Sequence, residues 1–523
     1  MESRKVVVIG AGNGGISAAV ALAQQGYEPL VLEKHRLPGG CASSFVRGRF
    51  EFDVSLHALF YTFRGFEDIW EKHMGIKADL AQVQSGVAYS HIDENGKPVF
   101  IQYPHGDEGF TEEFKKRFPE DADKMDEFMG LCRQLKTAIT IMSGDGIKME
   151  KSLSPLNGLK KKFKMLGKIL KVKKQAPDFL TIAKMTTEEV MDAYNMPNSI
   201  RRYVSTLWWY MGDEYKKIPF PHLGGSFYFP IEIPCFYPVN TAHEYLMAME
   251  KKIRDLGGEI RYNTEVSEIL TENGKIVGVK TADGQTIKTN NIVSNASPRL
   301  VLDKMIHDEN PKRKELLRAA NEIATNGSFV TVYLGLNKSC EELGIENHHI
   351  YFTDHDDGTK TWEASNTLEG PFSFGSLCPN VTIPDFSPEG TCVLTFTMGM
   401  TKNGFEGLSQ NEYKKAKIKL ANDLLDRACY HMGMDLREYI EEIEVMTPVT
   451  LSRYGNLEGG SLGFSVGKPD NTAVKELVAH AAEAYKGLTF VGQYARNAIG
   501  YSNTVAGYQD GWHKALEMKK EGK

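Results

Sequence analysis

At 523 residues, with 41% hydrophobic and 25% charged side chains, the chain has an ordinary globular composition but is too long for one compact core, which excludes a single small domain. A net charge of −6 gives no electrostatic reason to expect a nucleic acid as partner. Seven scattered cysteines form neither a C-x-x-C pair nor a metal-ligand spacing, no run reaches the ~18–20 apolar residues of a membrane span, and MESRKVVVIG lacks the apolar core of a signal peptide, so reduced thiols, no metal and a cytoplasmic setting are expected.

Residues 5–9 (KVVVI) are β-branched, as suits a buried parallel strand. Gly10-Ala-Gly-Asn-Gly-Gly15 follows at once and holds G-x-G-x-x-G at Gly10, Gly12 and Gly15, with Gly14 inside it. An alanine-rich helix is predicted over 16–25 and a second strand over 27–32, closed by Glu33. Each part serves a dinucleotide. Gly10 permits the tight turn, Gly12 admits the pyrophosphate to the backbone, Gly15 lets helix and strand pack closely, and Glu33 accepts from a ribose hydroxyl. The helix N-terminus adds unpaired N–H groups and a positive dipole end. These residues alone do not separate NAD from FAD.

Pro38-Gly-Gly40 lies just beyond the ribose acid, and Gly39-Gly-Cys-Ala-Ser-Ser-Phe45 and Phe52-Asp-Val-Ser-Leu-His57 follow it. This stretch resembles the FAD-dependent phytoene desaturase, carotenoid isomerase and retinol saturase family of the amine oxidase flavoprotein superfamily, and leans towards its saturase and isomerase side. Ser55 stands where relatives usually carry glycine. The resemblance continues through a helix at 237–258, a strand leading to Val266, an Asp283-Gly284 hairpin, a closing strand at 290–298, and a C-terminal strand at 487–492 followed by a helix from 505 to about 518. It implies FAD, an α/β fold with a Rossmann-type domain built from 1–75, 238–300 and 485–523, and an α+β substrate domain from 76–237 and 301–484. It also implies cofactor contacts at Lys34, Gly39, Gly40, Cys41, Ser44, Val266, Gly492, Asn503 and Thr504.

The first insertion predicts a helix over 114–136 and then a lysine-dense segment, LKKKFKMLGKILKVKK at 159–174, with eight lysines and no acid. Leu159, Phe163, Leu166 and Leu170 share one helical face, which suits either the surface of an anionic membrane or a solvated lid. The second insertion predicts strands at 328–336 and 391–398 and a helix over 411–432; its 447–454 and 458–463 segments resemble family segments near the flavin. Dense aromatics from Trp208 to Tyr237 would wall either an apolar tunnel or a core.

The resemblance implies hydride chemistry at C–C double bonds of a lipophilic polyene, isoprenoid or acyl chain, leaning to saturation. Desaturation, redox-neutral cis–trans isomerisation, flavin amine oxidation and cofactor binding without turnover are the alternatives. His57, titrating near neutrality, is the expected proton donor; Tyr228, Glu232, Arg453 and Tyr501 are the other catalytic candidates. With no second G-x-G-x-x-G in the chain, NAD(P)H as external electron donor would bind without a Rossmann unit of its own.

Overall fold

The computed structural model describes residues 4–63, 65–77, 79–144, 147–150, 155–400, 402–455, 458–460, 463–465, 470–496 and 502–522. The strand Lys5–Ile9 pairs in parallel with Glu28–Leu32 on one side and Ile292–Ser294 on the other. Glu259–Arg261 and Leu488–Phe490 complete the two edges, giving five parallel strands. Val7, Val8 and Val293 are fully buried, as expected of a parallel sheet covered on both faces. Strands far apart in the chain therefore form one sheet.

The helix Asn13–Gln24 is buried from Gly14 to Ala23, because it lies between this sheet and the C-terminal helix Ser502–Lys520. Two glycines permit that contact. A Cβ on Gly507 would stand 2.3 Å from the Gly14 carbonyl oxygen, and one on Gly511 2.4 Å from that of Ala18. The four-residue spacing puts both on one helical face. A third helix, Thr241–Asp255, also packs against Asn13–Gln24.

A mixed seven-stranded sheet stands apart from the first, in the order Ile440–Met446, Ser328–Leu336, Cys392–Met400, Ser373–Leu377, His349–Thr353, Val87–Ile92, Pro98–Tyr103. Only His349–Thr353 with Val87–Ile92 is a parallel pair; it joins strands from the two inserted stretches. The strand at 328–336 and the helix Gln410–Met432 lie where their periodicity predicts. The helix predicted over 114–136 is instead two, Asp107–Arg117 and Ala122–Ser143. Pro119 separates them: it lacks an N–H, and it holds Phe118 out of the helical region at φ −129°, ψ 65°. Among the described residues no helix is long and apolar enough to cross a membrane.

The packing of Gly511 generates an expectation. Gly511→Val should destabilise the protein by about 1–3 kcal/mol, as overpacking does. Gly130→Ala, in the Ala122–Ser143 helix with open space around its Cβ, should stabilise by about 0.5–1 kcal/mol through lower unfolded-state entropy. Thermal unfolding midpoints shifted in opposite directions would bear this out; equal midpoints would not.

Candidate functional site

A cavity of about 1480 Å³ runs from the first glycine turn into the second sheet. At one end lie Gly10, Gly12 and Gly14, with Glu33 and Lys34 beside them. The helix Asn13–Gln24 starts here, and its N-cap is Gly12, extended at φ −66°, ψ 169°, with no side chain to cap the first turn. The first-turn N–H groups are thus left to a ligand. Glu33 accepts from Ala11 N at 2.7 Å and His35 N at 2.8 Å, which holds its carboxylate in the turn. Two of its roughly four lone-pair sites remain for further donors.

The Pro38-Gly-Gly40 loop is tied to this turn by Gly39 N donating to Ala11 O at 2.8 Å. Gly39 sits at φ 107°, open to glycine but not to other residues. Gly15 and Gly492 do not line the cavity; they make its walls thin. A Cβ on Gly15 would stand 2.1 Å from the Gly10 carbonyl oxygen, and one on Gly492 2.4 Å from Asn295 Oδ1. Gly40, Cys41, Ser44, Val266 and Asn503 line the cavity. Thr504, next to Asn503, is buried and does not line the cavity. An uncapped helix start and glycines where a Cβ would intrude fit an adenine dinucleotide such as FAD.

Two motif residues prove to be structural. Burial pushes the Cys41 thiol up to about 11, so it is no nucleophile at neutral pH. Ser55 donates to the Cys41 carbonyl at 2.6 Å, which gives the serine a positive role at its unusual position. Ser44 donates to Glu51, which also accepts from Thr241 Oγ1 at 3.1 Å. Asp53, buried, accepts from Tyr237 Oη at 2.6 Å and from Ala242 N at 2.8 Å, in the first turn of Thr241–Asp255. Asp53 thus ties the returning helix to the strand Phe50–Asp53.

The other end of the cavity is aromatic. Trp209 and Tyr210 stack at 4.0 Å, and Phe63 meets Phe229 at 4.9 Å. His57 lies where a side chamber of about 130 Å³ joins, lined also by Tyr210, His348, His349 and Tyr351. The His57 Nδ1 and the Tyr210 hydroxyl are 3.4 Å apart, and the imidazole stacks on His349 at 5.1 Å. Burial, with His349 and His348 next in effect, holds His57 well below the usual histidine range. Burial also takes His348 to about 3 and His349 to about 4, and raises Tyr210 well above the ordinary tyrosine value. The expectation that His57 titrates near neutrality is therefore corrected: low polarity and neighbouring imidazoles keep it neutral.

Tyr228 and Glu232 are not brought to the cavity. They point from the helix Phe220–Glu232 to its other side, Tyr228 donating to Asp107 at 2.9 Å and Glu232 accepting from Lys136 at 2.7 Å. Gly225, Ser226 and Phe229 of the same helix do line the cavity. Arg453 lines it too, with its guanidinium over the Tyr454 ring at 5.5 Å. Tyr501 lies outside the described residues. Sequence reasoning missed His348, His349 and the place of Tyr210; the adjacent pair in Asn347-His-His-Ile350, opening a strand, was the available signal. No group of three or more metal-ligating side chains occurs among the described residues.

A family model described as flavin containing amine oxidoreductase matches residues 14–431. The chain is 28% identical to a chloroplastic prolycopene isomerase of Daucus carota over 482 residues, covering 87% of this chain and 71% of that one. It is 23% identical to the all-trans-retinol 13,14-reductase of Danio rerio over 529 residues, covering 94% and 82%. In fold it is similar to an oxidoreductase from Methanosarcina mazei, with a TM-score of 0.59, 15% identity, and coverage of 98% and 100%.

Asp53 sets a pH dependence. Burial raises its carboxyl from an ordinary 3.8 to about 7, against the lowering effect of the Tyr237 and Ala242 bonds. A value raised on folding means that its contribution is fully present below about pH 4 and is lost as pH climbs towards 7, at up to about 1.4 kcal/mol per pH unit. Asp53→Asn, which does not titrate, should lack this slope. Urea midpoints across pH 4–7 would test it, and parallel curves for the two proteins would refute the assignment.

Proposed function

The chain belongs to the flavin containing amine oxidoreductase family, and we propose that within it the protein isomerises cis double bonds of a lipophilic polyene without net redox change. Membership makes it an FAD-dependent oxidoreductase. Bound in the cavity, FAD would supply two-electron chemistry at carbon. Gly12, Gly14 and Glu33 would hold its adenosine and pyrophosphate, with Asn503 and the start of Ser502–Lys520 further along the cavity. We take 1–75, 238–300 and 485–523 as the cofactor side, and 76–237 and 301–484 as the substrate side.

The saturase direction expected from the PGGC and FDVSLH stretches gives way to its isomerase alternative. Four prolycopene isomerases are relatives of the chain, at 24–28% identity. One observation of the site carries the reading: four titratable side chains around the aromatic end, His57, His348, His349 and Tyr210, are held neutral. Saturation takes up a proton at every turnover and calls for an acid recharged at neutral pH. Isomerisation returns all that it takes. Trp209, Tyr210, Phe63 and Phe229 offer flat walls to a conjugated chain and exclude water from it. NAD(P)H would then serve only to set the oxidation state of the cofactor.

Product mass tests this. Protein reconstituted with FAD, reduced and kept anaerobic with a panel of cis-polyenes, should yield products of unchanged elemental composition. Gain of two hydrogens would establish saturation, and loss of two desaturation. Tyr210→Phe keeps the ring on Trp209 and removes only the hydroxyl. Under the isomerase reading its rate should stay within about tenfold of wild type. A fall of ~10²–10⁴-fold, the scale for a lost general acid, would make Tyr210 a proton donor and favour saturation.

A further inference from the structure

The helix Pro155–Gln175 is built the wrong way round for a soluble protein. Its bulky apolar side chains face outward: Phe163 is 67% exposed, Leu166 54% and Leu170 60%, with Met165 and Ile169 also exposed. Phe163, Leu166 and Leu170 are spaced i, i+3, i+7 and so make one stripe. Among the helix's described side chains only Val172 is buried, against Ala138 and Ala176. Lys168 is anchored by donating to the Met142 carbonyl. Lys160, Lys164, Lys171 and Lys174 are exposed, and no acidic residue lies between Pro155 and Gln175.

We propose that this helix docks on an anionic lipid bilayer, with the Phe163–Leu166–Leu170 stripe in the headgroup–acyl boundary and its lysines at the phosphates. Apolar burial and cation–anion attraction act on the same face, the combination that holds an interfacial helix. Lysine stems reach along an apolar stripe while their ammonium groups stay in water. A second copy of the chain is disfavoured as occupant, because it would set lysine against lysine. The helix lies two elements from the cavity: it packs on Ala122–Ser143, which packs on Phe220–Glu232, the bearer of Phe229. The proposal goes beyond the isomerase reading and is tested without turnover.

The full chain would be sedimented with vesicles of phosphatidylcholine alone and of phosphatidylcholine with phosphatidylglycerol, at low and high salt. Binding to the anionic vesicles, weakened by salt, is expected. The variant Lys160→Gln/Lys164→Gln/Lys171→Gln/Lys174→Gln should lower the partition coefficient by about 600-fold, given about fivefold for each of the four lysines near such a surface. Phe163→Ser/Leu166→Ser/Leu170→Ser should reduce it to background while circular dichroism shows the fold kept. Equal binding to both vesicle types, or partition unchanged in either variant, would overturn the proposal. So would a dimer in sedimentation equilibrium that the triple serine variant abolishes, since a second copy would then cover the stripe.

Discussion

The near contact of backbone with backbone at the start of the first helix is the constraint on which the rest depends. A Cβ on Gly14 would stand 2.6 Å from Gly492 Cα and 2.7 Å from Asn295 Oδ1. Gly14 and Gly492 thus meet backbone to backbone, and the Asn295 side chain packs against both. The first turn of Asn13–Gln24 is thereby held at the end of the cavity, with its N–H groups bare. Gly507 and Gly511 press the C-terminal helix onto the same element from behind. Larger side chains at these places would separate the segments that the cavity needs together.

Burial governs the other end, and there it selects against charge. His57, His348 and His349 sit among aromatic rings, where an imidazolium would lose its hydration and face a second imidazole. Asp53 shows the same pressure on an acid: its hydrogen bonds to Tyr237 and Ala242 offset burial only in part. Charged residue types stand at the rim instead. Glu33 and Lys34 stand at the nucleotide end, and Arg453 is exposed on the wall. The cavity therefore changes from polar to neutral along its length, as the charged pyrophosphate of FAD and the uncharged substrate we propose would require.

Local pattern made the nucleotide half legible. The β-branched run, the glycine turn and the alanine-rich helix appear as Lys5–Ile9, residues 10–12 and Asn13–Gln24, because each depends on neighbours in the chain. The strand Ser328–Leu336 and the helix Gln410–Met432 were legible from periodicity alone. The aromatic end was not. His57 meets Tyr210 and His349 across intervals of 153 and 292 positions, and no local signal announces such a meeting. Tyr228 misled for the same reason: one residue step, about 100° round the helix, decides whether a ring faces the cavity, as Phe229 does, or Asp107. Its identity says nothing of that. Ser55 could be flagged as a departure, but its bond to the Cys41 carbonyl belongs to the folded chain.

The parallel sheet has a consequence for the order in which the protein is made. Leu488–Phe490 pairs with Ile292–Ser294, and the helix that covers Asn13–Gln24 begins at Ser502. A nascent chain that has already formed its glycine turn must therefore wait for almost the whole message to be translated before the sheet gains its last strand. Until then Ile292–Ser294 is an open edge beside an uncovered apolar helix, a template for pairing with another chain. Ribosome pausing late in the message would lengthen that exposure. A chain cut short before Leu488 would have no way of ending it.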